Sequence, residues 1–89
     1  MPNKILIVDD DAATRESLAI LLADAGYDVL TASSVPSALK VMADSEPELL
    51  ITDIRLETYN GLHLIAMAPR PIPAIVVTAG PMLSGRYNH

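Results

Sequence analysis

The first apolar run of the chain, and the acids that follow it, decide its fold. Residues 5–11 read Ile5-Leu6-Ile7-Val8-Asp9-Asp10-Asp11. A continuous run of aliphatic, mostly β-branched residues is typical of a strand that is covered on both faces, as in a parallel sheet. Because the run ends at three consecutive carboxylates, the sequence predicts a buried first strand with an acidic loop at its carboxyl end.

The rest of the chain alternates predicted helices with predicted strands. Asp11 can cap a helix that stops at Gly26, and Ser34 can cap a second helix. The predicted inner face of the first helix consists of Leu18, Leu21, Leu22 and Ala25. Further strands are predicted at 28–32, 49–52 and 74–78, and a short third helix at 61–68. This order predicts an α/β fold: a doubly wound parallel sheet with right-handed crossovers and helices on both faces.

Length and composition narrow the possible functions. The 89 residues are enough for one small domain, and 51% hydrophobic residues with a mean hydropathy of +0.33 argue against disorder. A net charge of -5 argues against direct contact with nucleic acid or anionic membranes. The chain has no cysteine, which excludes disulfides and thiolate chemistry, and the predicted location is the cytoplasm. No run of roughly 18 apolar residues is present, so no membrane span is predicted.

Carboxylates follow two strands that should be neighbours. In a sheet of order 2-1-3-4-5, ligands bind at the carboxyl ends of strands 1 and 3. Asp9 and Asp10 follow the first of these strands and Asp53 ends the other. Two like charges about 4 Å apart cost on the order of 4 kcal/mol at an effective dielectric of 20, and a hard cation removes that cost. The sequence therefore predicts a Mg²⁺ site here, whereas Asp11 is interpreted as the helix cap.

A carboxylate beside a bound cation can also attack a phosphoryl group and become an aspartyl phosphate. Asp53 is the best candidate for this nucleophile, because it ends a central strand. Thr78 ends the strand that is expected beside it and could donate a hydrogen bond to the phosphoryl group. The arginines, among them Arg15 and Arg70, are interpreted as solvated surface charges.

Four segments of the chain form a specific set. They are Ile5-Leu6-Ile7-Val8-Asp9-Asp10-Asp11, Ile51-Thr52-Asp53-Ile54-Arg55-Leu56, Tyr59-Asn60-Gly61-Leu62 and Val76-Val77-Thr78-Ala79. Together they resemble a response regulator receiver domain of the two-component signalling family, over residues 3 to about 79. The resemblance implies a flavodoxin-like sheet and a signalling domain that performs only its own phosphorylation, not an enzyme.

The resemblance also implies a role for each site residue. Asp53 would be the phosphoacceptor, with the phosphoryl group coming from a histidine kinase or a phosphotransfer protein. Asp10 would bind Mg²⁺ directly, Asp9 mainly through water, and the backbone carbonyl of Arg55 would complete the metal site. Thr78 would hydrogen-bond the phosphoryl group and signal its presence by moving inward.

The chain departs from the family's pattern near its end. The family has a lysine after a fifth strand that pairs with the phosphoryl group, whereas the last lysine here is Lys40 and Lys4 is at the wrong end of its strand. Eleven residues follow Thr78, and another helix, strand and helix would need about 30. We therefore expect one receiver domain over residues 1–89, incomplete at its C-terminus, whose exposed fourth strand favours a homodimer or domain swap.

Two other function classes are weighed against phosphoryl acceptance. One is a receiver-like interaction module that needs no phosphate. The other is a Mg²⁺-dependent phosphatase of the haloacid dehalogenase type, but Asp9-Asp10-Asp11-Ala12-Ala13 lacks the Thr or Val that its motif requires at the last position. A nucleotide-binding role is poorly supported, because neither Gly-x-Gly-x-x-Gly nor a P-loop occurs.

Overall fold

The structure is a computed structural model, and it describes residues 3–53 and 61–77. Its elements are β1 (Lys4–Val8), α1 (Ala12–Asp24), β2 (Asp28–Ala32), α2 (Val35–Ser45), β3 (Leu49–Asp53), α3 (Gly61–Met67) and β4 (Ala74–Val77). The alternation of strands and helices is the one that the sequence predicts. Among the described residues no helix is long and apolar enough to cross a membrane.

The four strands form one parallel sheet in the order β2-β1-β3-β4. This confirms the doubly wound arrangement and the predicted order 2-1-3-4. β1 lies at the centre, with Val8 opposite Ala32 of β2 on one side and opposite Thr52 of β3 on the other. The carboxyl ends of β1 and β3 are therefore adjacent and level.

Helix α1 begins as predicted, because the Asp11 side chain accepts a hydrogen bond from the Thr14 amide at 3.0 Å. Its last residue is Asp24 and its C-cap is Ala25. Gly26 follows with φ 102°, a backbone conformation that favours glycine. The predicted inner face is wrong at Leu21, which is 66% exposed. Apolar residues surround this helix on most sides, so their spacing does not select one face.

Helix α2 carries stronger local signals. Ser34 is its N-cap, and its hydroxyl and that of Ser37 exchange hydrogen bonds with each other's backbone amides. Pro36 occupies the first turn, where its missing N–H costs nothing. The helix ends at Glu46, whose φ of 52° is left-handed although the residue is not glycine.

The main core lies between the sheet and helices α2 and α3. Its buried members are Leu6, Val8, Ala32, Val35, Ala38, Met42, Leu50 and Leu64. Ile5 and Ile7 alternate with Leu6 and Val8 and so point to the opposite face, which is the side of α1. Both faces of β1 are therefore buried, as its unbroken apolar run predicts, and the acidic loop that follows it is held on a rigid strand.

Candidate functional site

Strand register brings the predicted acids together. Val8 and Thr52 are register partners, so Asp9 follows β1 at the level where Asp53 ends β3. Carboxylate oxygens of Asp9, Asp10 and Asp53 all lie within 4.8 Å of one another. We call these three side chains the acidic cluster. Its existence follows from main-chain pairing, because parallel strands bring their carboxyl ends to the same edge of the sheet.

The members of the acidic cluster differ in their exposure to solvent. Asp9 is 2% exposed, Asp53 is half-buried and Asp10 is exposed. The cluster therefore has a buried inner carboxylate and an open outer one. Asp10 is therefore the member of the acidic cluster that is most open to a ligand from solvent.

Three polar groups of Asp9 have hydrogen-bond partners. Its amide donates to the Ala32 carbonyl at 3.2 Å, and its Oδ1 accepts from the Asp11 amide at 2.9 Å. Its carbonyl oxygen accepts from Nη1 of Arg15 at 2.7 Å. The inner end of the acidic cluster is thus fixed by contacts to β2, to the following loop and to α1.

The pKa values of two neighbouring acids shift in opposite directions. Burial raises the pKa of Asp9; the hydrogen bond from the Asp11 amide opposes that shift, and the charges of Asp53, Asp10 and Asp11 add to it. Hydrogen bonds from the Thr14 hydroxyl and amide lower the pKa of Asp11. Asp11 is therefore stabilised as a helix cap, whereas Asp9 bears the repulsion of the acidic cluster.

These properties fit a hard divalent cation. Carboxylate oxygens are the ligands that Mg²⁺ and Ca²⁺ prefer, and a cation replaces the mutual repulsion of the three acids by attraction. The acidic cluster could therefore hold a metal ion. In addition, Asp53 offers a half-buried carboxylate beside Asp9 and Asp10.

Comparison with known proteins decides the family. The sequence profile described as "Response regulator receiver domain" matches residues 5–84. The chain belongs to the response regulator receiver domain family. Receiver domains are signalling domains of two-component systems, and the observed sheet order is that of their fold.

Individual relatives agree with this membership. The chain is 35% identical to response regulator MprA of Mycobacterium sp. (strain KMS), over 97% of this chain and 39% of that protein. It is 39% identical to the phosphate regulon transcriptional regulatory protein PhoB of Pseudomonas aeruginosa, over 84% of this chain and 35% of PhoB. A putative response regulator from Chloroflexus aurantiacus superimposes with a TM-score of 0.78 and 33% identity, over 85% of this chain and 66% of that one. The chain thus spans less than two fifths of the length of MprA and PhoB.

The residues predicted for the receiver site divide into two groups. Asp9, Asp10 and Asp53 lie together, as described, and their roles as ligands and acceptor stay predictions. Thr78 and Arg55 lie outside the described residues, so their predicted roles are not tested. The described part of β4 ends at Val77, the register partner of Asp53.

The lysines of the receiver's described part lie away from the acidic cluster. Lys4 begins β1, and its Nζ donates to the Ser45 carbonyl at the C-terminus of α2, 2.9 Å away. Lys40 is 3.6 Å from Asp44 on the exposed surface of α2. The structure therefore supports the sequence argument that Lys4 is at the wrong end of its strand to contact a phosphoryl group.

One residue at the site was missed by the sequence analysis. Arg15 was interpreted as a surface charge, but its guanidinium is partly buried and reaches the backbone of Asp9. A signal exists: Arg15 is one turn into a helix capped by Asp11, and helical side chains tilt toward the N-terminus. That tilt directs a long side chain at this position back to the loop before the helix.

Proposed function

We propose that this receiver domain accepts a phosphoryl group on the Asp53 carboxylate. The observation that carries the proposal is the acidic cluster, in which Asp53 lies beside two further carboxylates at the level ends of neighbouring strands. Receiver domains interact with histidine kinases or phosphotransfer proteins, and we propose a phosphohistidine of one of these as the donor for this chain.

The reaction requires little covalent chemistry from the protein. An oxygen of the Asp53 carboxylate attacks phosphorus and forms an O–P bond while the N–P bond of phosphohistidine breaks. The electron pair of the broken bond returns to the imidazole, which leaves as histidine, and Asp53 becomes a mixed anhydride of carboxylic and phosphoric acid. The half-burial of Asp53 at the end of β3 supports a fixed in-line approach, and positioning is the main requirement of phosphoryl transfer.

We propose that Asp9, Asp10, Asp53 and the backbone carbonyl of Arg55 hold Mg²⁺. When bound, Mg²⁺ would neutralise charge on the carboxylates and on the phosphoryl oxygens. The exposed Asp10 is proposed as a direct ligand, and the buried Asp9, which already accepts the Asp11 amide, as acting mainly through water. Thr78 is proposed to donate its hydroxyl to the phosphoryl group and to transmit the change to a partner.

Intact-mass measurement tests the proposal. The protein is incubated with acetyl phosphate and MgCl₂, and an adduct of one phosphoryl group is expected on the wild type. Asp53→Asn removes the nucleophile at constant size and should abolish the adduct. Asp44→Asn, on the exposed surface of α2, is the matched control and should retain it. An undiminished adduct on Asp53→Asn, or none on the wild type, contradicts the proposal.

A phosphorylation-independent interaction module is the second candidate. It is favoured by the position of Lys4 and Lys40, since neither of these lysines is available to the acidic cluster. Intact folding without either Mg²⁺ binding or an adduct would select this alternative. A phosphatase of the haloacid dehalogenase type remains the weakest choice, and steady hydrolysis of a phosphate ester would be needed to revive it.

Association through β4 is a further proposal. Within the described chain β4 pairs with β3 on one side, and Ile75 is 50% exposed. An exposed apolar edge strand favours pairing with a second copy. Sedimentation equilibrium should show concentration-dependent dimers in the wild type that are weakened in Ile75→Asp.

The remaining proposals concern the setting of the domain. We propose that residues 1–89 act as one receiver domain in the cytoplasm. The net charge of -5 supports a chain that does not itself contact nucleic acid or anionic membranes.

A further inference from the structure

We propose that Arg15 is a positioning residue for the metal site, which it serves by fixing the peptide group between Asp9 and Asp10. This inference rests on the proposed function, because it concerns the same acidic cluster. Within the part of the chain that the structure describes, the hydrogen bond of Arg15 is to the main chain, at the Asp9 carbonyl oxygen.

The contact is short and partly buried. Nη1 of Arg15 donates to the Asp9 carbonyl oxygen at 2.7 Å. A hydrogen bond with a charged donor is shorter and stronger than one between neutral groups. Because the hydrogen bond is partly buried, water competes less for its donor and acceptor than it would at an exposed site.

Peptide geometry carries the effect from Arg15 to Asp10. The carbonyl of Asp9 and the amide nitrogen of Asp10 belong to one planar group, so that the plane can turn only through ψ of Asp9 and φ of Asp10. Holding the carbonyl oxygen therefore fixes ψ of Asp9, and with it the position of the Asp10 Cα. Asp10 is exposed, so packing does not fix its side chain and its place depends on the main chain. Arg15 thus helps to fix the place from which the outer carboxylate of the acidic cluster extends.

The other hydrogen bonds described for Asp9 involve its amide and its carboxylate, not its carbonyl oxygen. The Asp9 amide is held by Ala32, and the Asp9 carboxylate accepts from the Asp11 amide. These bonds fix the strand side and the side chain of Asp9. The Arg15 hydrogen bond is the one that acts on the carbonyl, and hence on the peptide that leads to Asp10.

Charge and positioning predict opposite effects when Arg15 is neutralised. A cation near three carboxylates repels Mg²⁺, so the loss of its charge alone would strengthen Mg²⁺ binding. The loss of a group that orients a metal ligand weakens binding, typically by tenfold or more. The sign of the change therefore separates the two roles.

The test is a MgCl₂ titration of the full chain, followed by the backbone amide resonances of Asp10 and Asp11. Arg15→Met removes both donor and charge, and we expect the Mg²⁺ Kd to rise about tenfold. Arg15→Lys keeps a charged donor and should recover part of the affinity. Arg70→Met removes an arginine at the other end of the molecule and should leave the Kd unchanged.

Each outcome decides the inference. An unchanged or lower Kd for Arg15→Met overturns it while the metal site stands. A wild type whose resonances do not respond to Mg²⁺ overturns the metal site and the inference together. If Arg15→Met does not fold, as judged by its thermal transition without Mg²⁺, Arg15→Gln replaces it, and the same rise in Kd is expected.

Discussion

The two ends of the sheet treat charge in opposite ways. At the carboxyl end, the acidic cluster holds Asp9, Asp10 and Asp53 with their oxygens within 4.8 Å. At the amino end, Lys4 donates to the Ser45 carbonyl at 2.9 Å, and Glu46 is 3.2 Å from Arg70. One end concentrates like charge and the other pairs opposite charge. The carboxyl end could therefore hold a cation, whereas the charges of the amino end are already paired.

The same contrast appears in the contacts that hold each end. At the amino end the Leu50 amide donates to the Pro73 carbonyl at 2.9 Å, and the Glu48 amide donates to the Lys4 carbonyl at 2.8 Å. These bonds join the starts of neighbouring strands. At the carboxyl end the hydrogen bonds of Asp9 fix a loop whose charges remain in conflict. The acidic cluster therefore does not stabilise the fold. Contacts elsewhere in the sheet offset the repulsion among its carboxylates.

The largest expected effect is a Mg²⁺-dependent gain in stability that depends on Asp10. At ten times its Kd, a cation that binds the folded state alone raises the free energy of unfolding by about 1.4 kcal/mol. Urea denaturation with and without MgCl₂ should show most of this gain disappearing in Asp10→Asn. Asp24→Asn, at the far end of α1, should keep the full gain. Equal Mg²⁺-dependent gains in Asp10→Asn and Asp24→Asn would contradict the proposed binding of a cation at the carboxyl end of the sheet.

A somewhat smaller effect is expected from Asp9→Asn in metal-free protein. The pKa of Asp9 is raised above its ordinary 3.8, chiefly by burial, so ionised Asp9 disfavours the folded state at neutral pH. Asn retains an oxygen that can accept the Asp11 amide. We therefore expect Asp9→Asn to be more stable than the wild type at neutral pH, by on the order of 1 kcal/mol.

The pH dependence of the stability difference between wild type and Asp9→Asn tests the direction of the Asp9 pKa shift. Below pH 3.8 the carboxyl is protonated in both the folded and unfolded states, and the difference between wild type and Asp9→Asn should vanish. It should grow as the pH rises above 3.8 and reach its full size once the pH exceeds the raised pKa of folded Asp9. Urea denaturation at several pH values measures it. A difference that grows toward acid pH instead would contradict the assignment of the shift.

The smallest effect is expected at the amino end. Arg70 and Glu46 are both more than half exposed. An exposed ion pair of this kind contributes about 0.2 to 1 kcal/mol to the free energy of unfolding. Arg70→Met should therefore change the free energy of unfolding by less than about 0.5 kcal/mol at physiological salt. A larger loss in thermal or urea unfolding would show that the amino end depends on this pair.

The main elements of the fold were predictable because local and long-range signals agree. Asp11 and Ser34 start their helices as predicted, and both cap through their own side chains. The unbroken run of β1 predicts a strand buried on both faces, which the structure confirms. The proximity of Asp9 to Asp53 followed from the strand order alone, without knowledge of any side-chain contact.

Two features were not predicted, for different physical reasons. Leu21 was assigned to the inner face of α1, but the helix is apolar on most sides, so its orientation depends on which strands it packs against. Arg15 was taken for a surface charge because its partner is a backbone carbonyl, which no residue type marks; its place one turn into α1, which directs its side chain back to the loop, was the signal that was overlooked.

The parallel register has a consequence for how this sequence can vary. Val8 is opposite Thr52 in the register of β1 and β3. The positions of Asp9 and Asp53 along the strand direction are therefore set by main-chain hydrogen bonds, not by the identity of the aliphatic side chains. Exchanges among Ile, Leu and Val within β1 or β3 therefore leave the carboxylates in place. One inserted residue would instead move a carboxylate by about 3.3 Å and turn it to the other face of the sheet. The site tolerates changes of composition in its strands, but not changes of their length.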